Sequence, residues 1–316
     1  MAGIKYFVFF DFEMLCSDKG MPYEKMEAIR LGAVKYDLET KKIDFFDQFI
    51  KPKNSDPLSE FCKTLTGIQD EQLANAHDFK SVFEDFVEWI GGVKKARYFS
   101  WSTSDLSRLK FDSIYHEIPP RTIRKIENNY IDFQATFKKR VAKRNVSVED
   151  ALSLYSLPFI GEAHNPMYDA YNTLRIYLAF LNQPIESDII MLKQFIFNDE
   201  NDLSLYNLKD INFYLAQQLV KDSSVLNEQL RDLYRLKDVK KLVKPLKRMA
   251  EKYQNIVVNR SGLFTEENIA SAEIIITLYD EILFHYEEHL LYQSKIVMFH
   301  DHLLKPLNKM IEESTL

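Results

Sequence analysis

The sequence of 316 residues is poor in the residues that mark secreted, fibrous or disordered chains. It has 2 cysteines, Cys16 and Cys62, which are too few for a disulfide framework or a cysteine-rich zinc cluster. The low counts of glycine, 8, and proline, 10, argue against collagen-like and low-complexity segments. No run approaches the ~20 apolar residues of a membrane-spanning helix, and the N-terminus lacks the features of a signal peptide. We therefore expect a globular, cytoplasmic protein with no membrane partner.

A strong excess of charge of either sign is also lacking. The formal net charge is −6, with 25 basic and 26 acidic residues in positions 1–181 and 16 and 21 in positions 182–316. Nucleic acid, if it is the partner, must therefore bind through local patches or metal ions rather than through a global field. Hydrophobic residues make up 46% of the chain, so a sizeable core is expected.

Strand and helix signals alternate over the first part of the chain. Hydrophobic patterning predicts four strands, the first three in a meander, at Ile4–Phe10, Ala28–Asp37, Lys42–Pro52 and Ala96–Trp101, and a short fifth strand followed by a helix in the stretch "NYIDFQATFKKRVAKR". It also predicts a helix over Ser81–Ile90 and another that begins at Asp105. Ser147 and Asn165 are predicted N-caps of two later helices, the second with Pro166 at its first position.

The predicted secondary structure changes at about Asn182. Beyond it strand signals nearly vanish, and helical periodicity continues to the end, including one long stretch from Thr265 to Glu313. We therefore predict an α/β domain over residues 1–181 and an all-helical domain over residues 182–316.

The stretch "IKYFVFFDFEMLC" places two carboxylates after an apolar run fit for burial on both faces. Asp11 and Glu13 are two residues apart on a strand, so both side chains point to one face. Unpaired, they would repel each other and lose solvation. A divalent cation such as Mg²⁺ or Mn²⁺, which prefers oxygen ligands, would resolve the conflict. The alternative is a strand edge whose carboxylates face solvent.

Two further acids and one histidine lie in comparable places. Asp105 follows the strand "RYFSW" after a short turn, and Asp169 lies in the first turns of the helix led by Asn165. His164 stands just before that helix. Each residue alone has a simpler explanation, because an acid at a helix start is usually a cap or a partner of the helix dipole. Their order and context together indicate a metal-binding site.

The motifs "FVFFDFEML", "FCKTLTGI", "SWSTSD" and "HNPMYDAYNT" resemble those of the DEDDh branch of 3′–5′ exonucleases. The similarity covers about residues 4–181 and is closest to the histone-mRNA and small-RNA trimming exonucleases and their KapD-like relatives. It implies a ribonuclease H-like mixed sheet flanked by helices. It also implies two divalent ions held by Asp11, Glu13, Asp105 and Asp169, with His164 as the general base.

The resemblance also implies a substrate site. Phe61 and Leu65 match positions that sandwich the terminal base, and Met14 matches a position beside the terminal nucleotide. Ordinary core packing is the alternative for all three. Ser104, Asn165, Pro166 and Tyr168 depart from the usual motifs, which bears on substrate preference more than on catalysis.

The helical domain carries two patterns of its own. Basic residues at helical spacing form a stripe, which is either an RNA-backbone contact or a solvated helix face: Lys237, Lys240, Lys241, Lys244 and Arg248. Pro245, within this stretch, is expected to kink or restart the helix. The segment His285–His289 fits a zinc-peptidase pattern, but a histidine-bearing face of a long helix is the preferred interpretation.

We therefore expect a metal-dependent 3′–5′ exonuclease that releases nucleoside 5′-monophosphates. RNA is favoured over DNA by the resemblance, and single-stranded DNA remains a candidate substrate. The helical domain is expected to bind substrate or a partner, or to form a homodimer. Two alternatives stay open: a nuclease-like binding module that recruits a partner, and a proofreading exonuclease of a DNA polymerase.

Overall fold

The computed structural model describes residues 3–197, 208–230, 233, 235–292, 295–296 and 301–313. The chain divides into two compact units. The first comprises Met1–Lys139 and Arg144–Asn182, and the second comprises residues 140–143 and Gln183–Leu316. The predicted division into an α/β domain over residues 1–181 and a helical domain over residues 182–316 stays a prediction. No helix among the described residues is both long and apolar enough to span a membrane.

A six-stranded mixed sheet forms the centre of the first unit. Its strands β1 to β6 are Tyr6–Met14, Ala28–Asp37, Ile43–Lys51, His77–Asp78, Ala96–Ser100 and Tyr130–Asp132, in the spatial order β4-β3-β2-β1-β5-β6. The pairs β1–β2 and β2–β3 are antiparallel, and the pairs β3–β4, β1–β5 and β5–β6 are parallel. This sheet, with its flanking helices, confirms the predicted ribonuclease H-like fold class.

Eight helices flank this sheet in the described part of the first unit. Helices α1 to α8 are Glu60–Thr66, Asp70–Ala74, Phe79–Ile90, Thr103–Tyr115, Pro120–Glu127, Phe133–Phe137, Val148–Leu154 and Pro166–Asn182. The predicted N-cap Ser147 is confirmed, because its Oγ accepts the Asp150 N–H at 3.0 Å. Helix α4 begins at Thr103, two residues earlier than predicted, because Ser102 caps it by accepting the Ser104 N–H.

Strand β1 is longer than predicted and is covered on both faces. Its pairing with β2 continues past Phe10 through Glu13, because the carboxylates replace apolar side chains without interrupting the ladder. Val8, Phe10 and Phe12 pack into a buried cluster with residues of α3. On the opposite face, Phe9 stacks on Phe99 at a centroid distance of 4.6 Å and contacts Tyr177 of α8 at 5.4 Å. Asp11 and Glu13 continue this second face, which is the face that α8 covers.

A glycine allows α8 to approach the sheet closely. Gly32 of β2 lies opposite Asp11 in the β1–β2 register. A Cβ atom at Gly32 would fall 2.0 Å from the backbone nitrogen of Met167 and 2.2 Å from the carbonyl carbon of Pro166. Only glycine therefore lets the first turn of α8 lie against the strand pair that carries Asp11.

The described residues of the second unit form a helical bundle. Helices α9 to α13 are Pro184–Met191, Leu208–Leu230, Leu236–Val258, Glu266–Leu291 and Asp301–Glu313. Helix α12 packs against α10, α11 and α13. The buried core includes Leu215, Leu246, Tyr253, Ile275 and Leu278. Burial of each large apolar side chain contributes about 1.5–3 kcal/mol.

Two details of the helical prediction are wrong. Pro245 does not restart the helix, because α11 continues from Leu236 to Val258 with the proline inside it. The alternative, a kink at Pro245, stays a prediction. The stretch from Thr265 to Glu313 is not one helix: α12 ends at Leu291 and α13 begins at Asp301.

Gly32→Ala should damage the first unit. The added Cβ must displace the backbone of Pro166 and Met167, so we expect a loss of about 1–3 kcal/mol in the free energy of unfolding, as for other overpacked sites. Urea denaturation measures this loss. Gly3→Ala is the control, because a Cβ at Gly3 meets no atom within 4 Å. Equal stabilities of the two variants would contradict the role given to Gly32.

Candidate metal-dependent active site

Strand β1 supplies the first two carboxylates of the candidate site. Asp11 and Glu13 lie on the face of β1 that α8 covers, and both are half-buried. The β1–β2 register is irregular between Glu13 and Met14, immediately after the second acid. The prediction that both side chains share one face is therefore confirmed.

Asp105 reaches the same place from the neighbouring strand. It lies in the first turn of α4, directly after β5, and is only 3% exposed. The Phe12 N–H donates to its Oδ1 at 3.3 Å, and its carboxyl group shares a hydrogen bond with that of Asp11. Because β1 and β5 are parallel, their carboxyl ends meet at one edge of the sheet. This geometry brings Asp105 beside Asp11.

Asp169 approaches from α8. Asn165 caps this helix, since its Oδ1 accepts the Met167 N–H at 3.2 Å, and Pro166 is the first helical residue, as predicted. The backbone N–H of His164 donates to the Asp169 carboxylate. Gly32 admits this turn of the helix to the sheet. Asp169 is consequently held over the β1 acids by capping, packing and one backbone hydrogen bond.

The four predicted acids converge. Asp11, Glu13 and Asp169 each offer a carboxylate oxygen, and these oxygens lie within 4.8 Å of one another. Asp105 joins the group through its hydrogen bond to Asp11. His164 is placed beside the group by its backbone contact to Asp169, and its side chain is exposed. The structure thus brings together all five residues that the sequence predicted as catalytic.

Burial and mutual repulsion perturb the acids strongly. Burial, reinforced by the charges of Asp105, Asp169 and Glu13, raises the pKa of Asp11 well above its usual range. Burial is also the main cause that raises the pKa of Asp105. Burial and the Asp169 charge raise the pKa of Glu13 to about 8, against the opposing charge of Arg30. Burial raises the pKa of Asp169 to about 6, against the His164 hydrogen bond.

This donor set fits divalent cations that prefer oxygen. Several carboxylate oxygens within 4.8 Å match the ligand chemistry of Mg²⁺ and Mn²⁺, and sulfur or imidazole ligands are absent from this described group. The pKa values of Asp11 and Glu13 are raised by burial and by the neighbouring acids, and positive charge from protons or from metal would offset this cost. Asp11, Glu13, Asp105 and Asp169 are the residues that would hold the ions.

Two residues of this region were missed in the sequence. Arg30 lies opposite Glu13 in the β1–β2 register and forms a bidentate pair with Asp47, with N···O distances of 2.8 and 2.7 Å. Gly32 admits α8 to the sheet. The glycine had a detectable signal, because an isolated glycine inside a strand pattern indicates a close backbone approach. The position of Arg30 depends on strand register, which the sequence left unspecified.

The predicted substrate-binding residues lie near the end of β1. Helix α1 is joined to this end by two hydrogen bonds, from Ser59 Oγ to the Cys16 carbonyl at 2.7 Å and from Cys62 Sγ to the Met14 carbonyl at 3.7 Å. Phe61 and Leu65, one helical turn apart, are 43% and 38% exposed. Core packing does not explain these two side chains. Met14 is half-buried and packs against the sheet core. Their contact with substrate stays a prediction.

The histidine pattern of the second unit also converges. His285, Glu288 and His289 offer ligand atoms within 4.8 Å of one another. His289 Nδ1 lies 2.7 Å from the His285 carbonyl oxygen, so this nitrogen carries the proton and donates. Among the described residues no further metal-ligating side chain joins this group. The preferred interpretation, a histidine-bearing helix face, stays a prediction.

A mixed sheet with four acids at the carboxyl ends of β1 and β5 and at the start of α8 forms a candidate site for divalent cations. Comparison with known proteins agrees: the sequence matches the RNase_T family of exonucleases over residues 8–177. It is 30% identical over 190 residues to the 3′–5′ exonuclease Snipper of Drosophila melanogaster, covering 54% of this chain and 68% of Snipper. The chain therefore belongs to the RNase_T exonuclease family.

Other relatives extend this result. The human ERI1 exoribonuclease 2 is 27% identical over 191 residues, covering 53% of this chain and 27% of that protein. Among solved structures, the nuclease domain of 3′hExo, a DEDDh family member bound to rAMP, matches with a TM-score of 0.52 at 23% identity, covering 58% of this chain and 95% of that one. This likeness establishes the fold. The predicted family and enzyme class, 3′–5′ exonuclease, are confirmed, and divalent metal ions are typical of the family.

The acid cluster should make the metal-free protein sensitive to pH. A carboxyl group with a raised pKa holds its proton more tightly in the folded chain than in the unfolded chain. Its stabilising effect is complete below the ordinary carboxyl pKa of about 4. The effect is lost as the pH rises through the folded value, which for Glu13 is about 8. We therefore expect the melting temperature in EDTA to fall between about pH 5 and pH 8.

Thermal melts of the wild type and of Asp11→Asn isolate the effect of the cluster. The variant lacks one of the like charges, so its melting temperature should fall less over the same range. Millimolar Mn²⁺ should raise the melting temperature of the wild type most at the upper end of this pH range, because the carboxylate ligands have lost their protons there. Parallel pH profiles for the two proteins in EDTA would contradict this account.

Proposed function

We propose that the chain is a metal-dependent 3′–5′ exonuclease that hydrolyses RNA, and also single-stranded DNA, to nucleoside 5′-monophosphates. The observation that carries this proposal is the convergence of four carboxylates at one edge of the sheet, with a histidine beside them. The chain spans 68% of Snipper but only 27% of human ERI1 exoribonuclease 2, so the activity of the whole protein is part of the proposal.

The four acids are proposed to hold two Mg²⁺ or Mn²⁺ ions. When bound, such a pair supplies Lewis-acid polarisation of the scissile phosphate and makes a bound water more acidic. The protein fixes the ligands in advance: the Phe12 N–H orients Asp105 and the His164 N–H orients Asp169. The raised pKa values of the acids reflect the cost of gathering them, and bound cations would offset this cost.

His164 is proposed as the general base that accepts the proton of the attacking water. Its backbone has a φ of 62°, a left-handed conformation that is uncommon for residues other than glycine. Such strain costs on the order of 1–3 kcal/mol and concentrates at functional sites. The His164 N–H donates to the Asp169 carboxylate in this conformation, and the side chain of His164 is exposed.

RNA is the proposed preferred substrate. Support comes from relatives named exoribonucleases and from a neighbour whose nuclease domain was solved bound to rAMP. The half-exposed side chains of Phe61 and Leu65 present an apolar pair of the kind that holds a terminal base without reading its sequence. A cytoplasmic location and homodimerisation through the helical domain also stay proposals. Light scattering, which measures the molar mass in solution, tests the homodimer.

Asp11→Asn should strongly lower the rate of cleavage. Loss of one ligand removes several kcal/mol of transition-state stabilisation, so we expect a fall on the order of 10³-fold. The assay follows 5′-labelled single-stranded RNA and DNA of matched sequence with Mn²⁺ or EDTA. The wild type should give a metal-dependent ladder that shortens from the 3′ end, faster on RNA. The matched control is Glu84→Gln, at an exposed acid on α3. Cleavage by Asp11→Asn at the wild-type rate, or cleavage by the wild type in EDTA at the rate seen with Mn²⁺, would contradict the proposal.

His164→Gln should slow the chemical step without removing metal binding. Loss of a general base typically lowers kcat by about 10²–10⁴-fold. The fall should appear in kcat, whereas KM and Mn²⁺ affinity should match the wild type. His77→Gln, at an exposed histidine of β4, is the control. An unchanged kcat in His164→Gln would show that His164 is not the base.

Phe61→Ala should weaken substrate binding rather than folding. Stacking on an aromatic ring contributes about 1–3 kcal/mol per base, so KM should rise while the free energy of unfolding changes little. Ile114→Ala, at an exposed position of α4, is the control. A lower stability with an unchanged KM would instead assign Phe61 to packing.

A further inference from the structure

One face of α11 carries a row of cations. The basic stripe consists of Lys237, Lys240, Lys241, Lys244 and Arg248, at steps of three, one, three and four residues, and all five side chains are exposed. It extends about 16 Å along the helix axis, at 1.5 Å per residue. Lys241 pairs with Asp238 at 3.2 Å, but the other four have no ion-pair partner among the described residues. The stripe therefore offers unneutralised positive charge.

An apolar cavity adjoins the first turn of this helix. Its volume is about 600 Å³, and its apolar lining comes from Leu236, Tyr286, Leu290 and Ile296. Lys237 and Lys240 belong both to the cavity rim and to the basic stripe. The two features are consequently parts of one surface.

Backbone hydrogen bonds hold the cavity wall in place. The Leu236 N–H donates to the Lys295 carbonyl at 3.1 Å, and Arg235 and Ile296 form an isolated antiparallel bridge. Lys295 and Arg235 also line the cavity, so its rim is cationic on the side of this bridge as well as on α11. The cavity thus lies between α11, the end of α12 and the residues Lys295 and Ile296.

We propose that the basic stripe and the apolar cavity form a second binding surface for single-stranded nucleic acid, with a base in the cavity and backbone phosphates along the stripe. The proposal takes its ligand class from the proposed function, but binding here requires no catalysis. It gives the helical unit a role in holding substrate.

Charge and shape together favour this occupant. Residues 182–316 carry 16 basic and 21 acidic residues, so the stripe concentrates positive charge in a region that is otherwise acidic. A nucleotide joins a flat, largely apolar base to a phosphate, which matches an apolar cavity bordered by lysines. Tyr286 adds an aromatic side chain to the lining, and aromatic rings favour stacking on any base.

The first test measures binding of a fluorescent single-stranded RNA by the full chain carrying Asp11→Asn, which prevents cleavage. Lys240→Glu with Lys244→Glu should weaken affinity at least tenfold. It should also reduce the slope of log affinity against log salt by about 1.4, since each phosphate contact on a single strand contributes about 0.7. The control, Lys221→Glu with Lys305→Glu, changes the net charge equally at exposed lysines on α10 and α13.

The second test probes the cavity without altering charge. Leu290→Asn should weaken binding at least threefold and leave the salt slope unchanged. Leu291→Asn, at the next residue but outside the cavity lining, should bind as the parent does. Leu290 and Leu291 are 55% and 82% exposed, so both variants should fold.

The outcomes separate this surface from the nuclease activity. If the stripe and cavity variants bind RNA with the same affinity as their controls, the proposed binding surface is wrong, even if the wild type cleaves RNA. Weakened binding by these variants, in a protein whose wild type fails to cleave, would contradict the proposed function and support the surface. Self-association lost in Leu290→Asn with RNA binding intact would reassign the cavity to a second copy of the chain and overturn the proposal.

Discussion

The cost of gathering four carboxylates in one partly buried place is the constraint around which the first unit is organised. Asp11, Glu13, Asp105 and Asp169 come from three elements, and burial is the main cause that raises the pKa of each, reinforced at Asp11 and Glu13 by the charges of neighbouring acids. A fold tolerates such a cluster only if the surrounding structure is rigid enough to hold it and if cations or protons neutralise it. The paired aromatic faces of β1 and the capped helices α4 and α8 provide that rigidity.

The two-residue alternation of side chains along β1 links the hydrophobic core to the acid cluster. Alternate residues of β1 pack against α3 on one face and against α8 on the other, and the acids continue the α8 face beyond Phe9. The helix that buries the aromatic side chains therefore also delivers Asp169. Gly32 sets the distance between helix and sheet, so a backbone feature of β2 controls the spacing of side chains on β1 and α8. Stability and site geometry depend on the same contact.

Features that depend on neighbouring residues in the sequence could be predicted, whereas contacts between residues far apart in the sequence could not. The shared face of Asp11 and Glu13 follows from strand geometry, and the Ser147 and Asn165 caps follow from side-chain chemistry. The close approach at Gly32 and the pairing of Arg30 with Asp47 depend on register and helix packing, which a single sequence does not specify. Helical periodicity predicted α12 and α13 as one helical stretch, because the sequence between Leu291 and Asp301 contains no glycine or proline that would predict the end of a helix.

Cation binding by the acid cluster is the central claim, and anomalous diffraction from crystals grown with Mn²⁺ and a nucleoside 5′-monophosphate tests it most directly. The account predicts manganese peaks bound by carboxylate oxygens of Asp11, Glu13, Asp105 and Asp169, with the phosphate bridging to the metal and His164 on the substrate side. Manganese bound only elsewhere, for example at His285 and His289, or an acid cluster that stays protonated and empty at millimolar Mn²⁺, would contradict it.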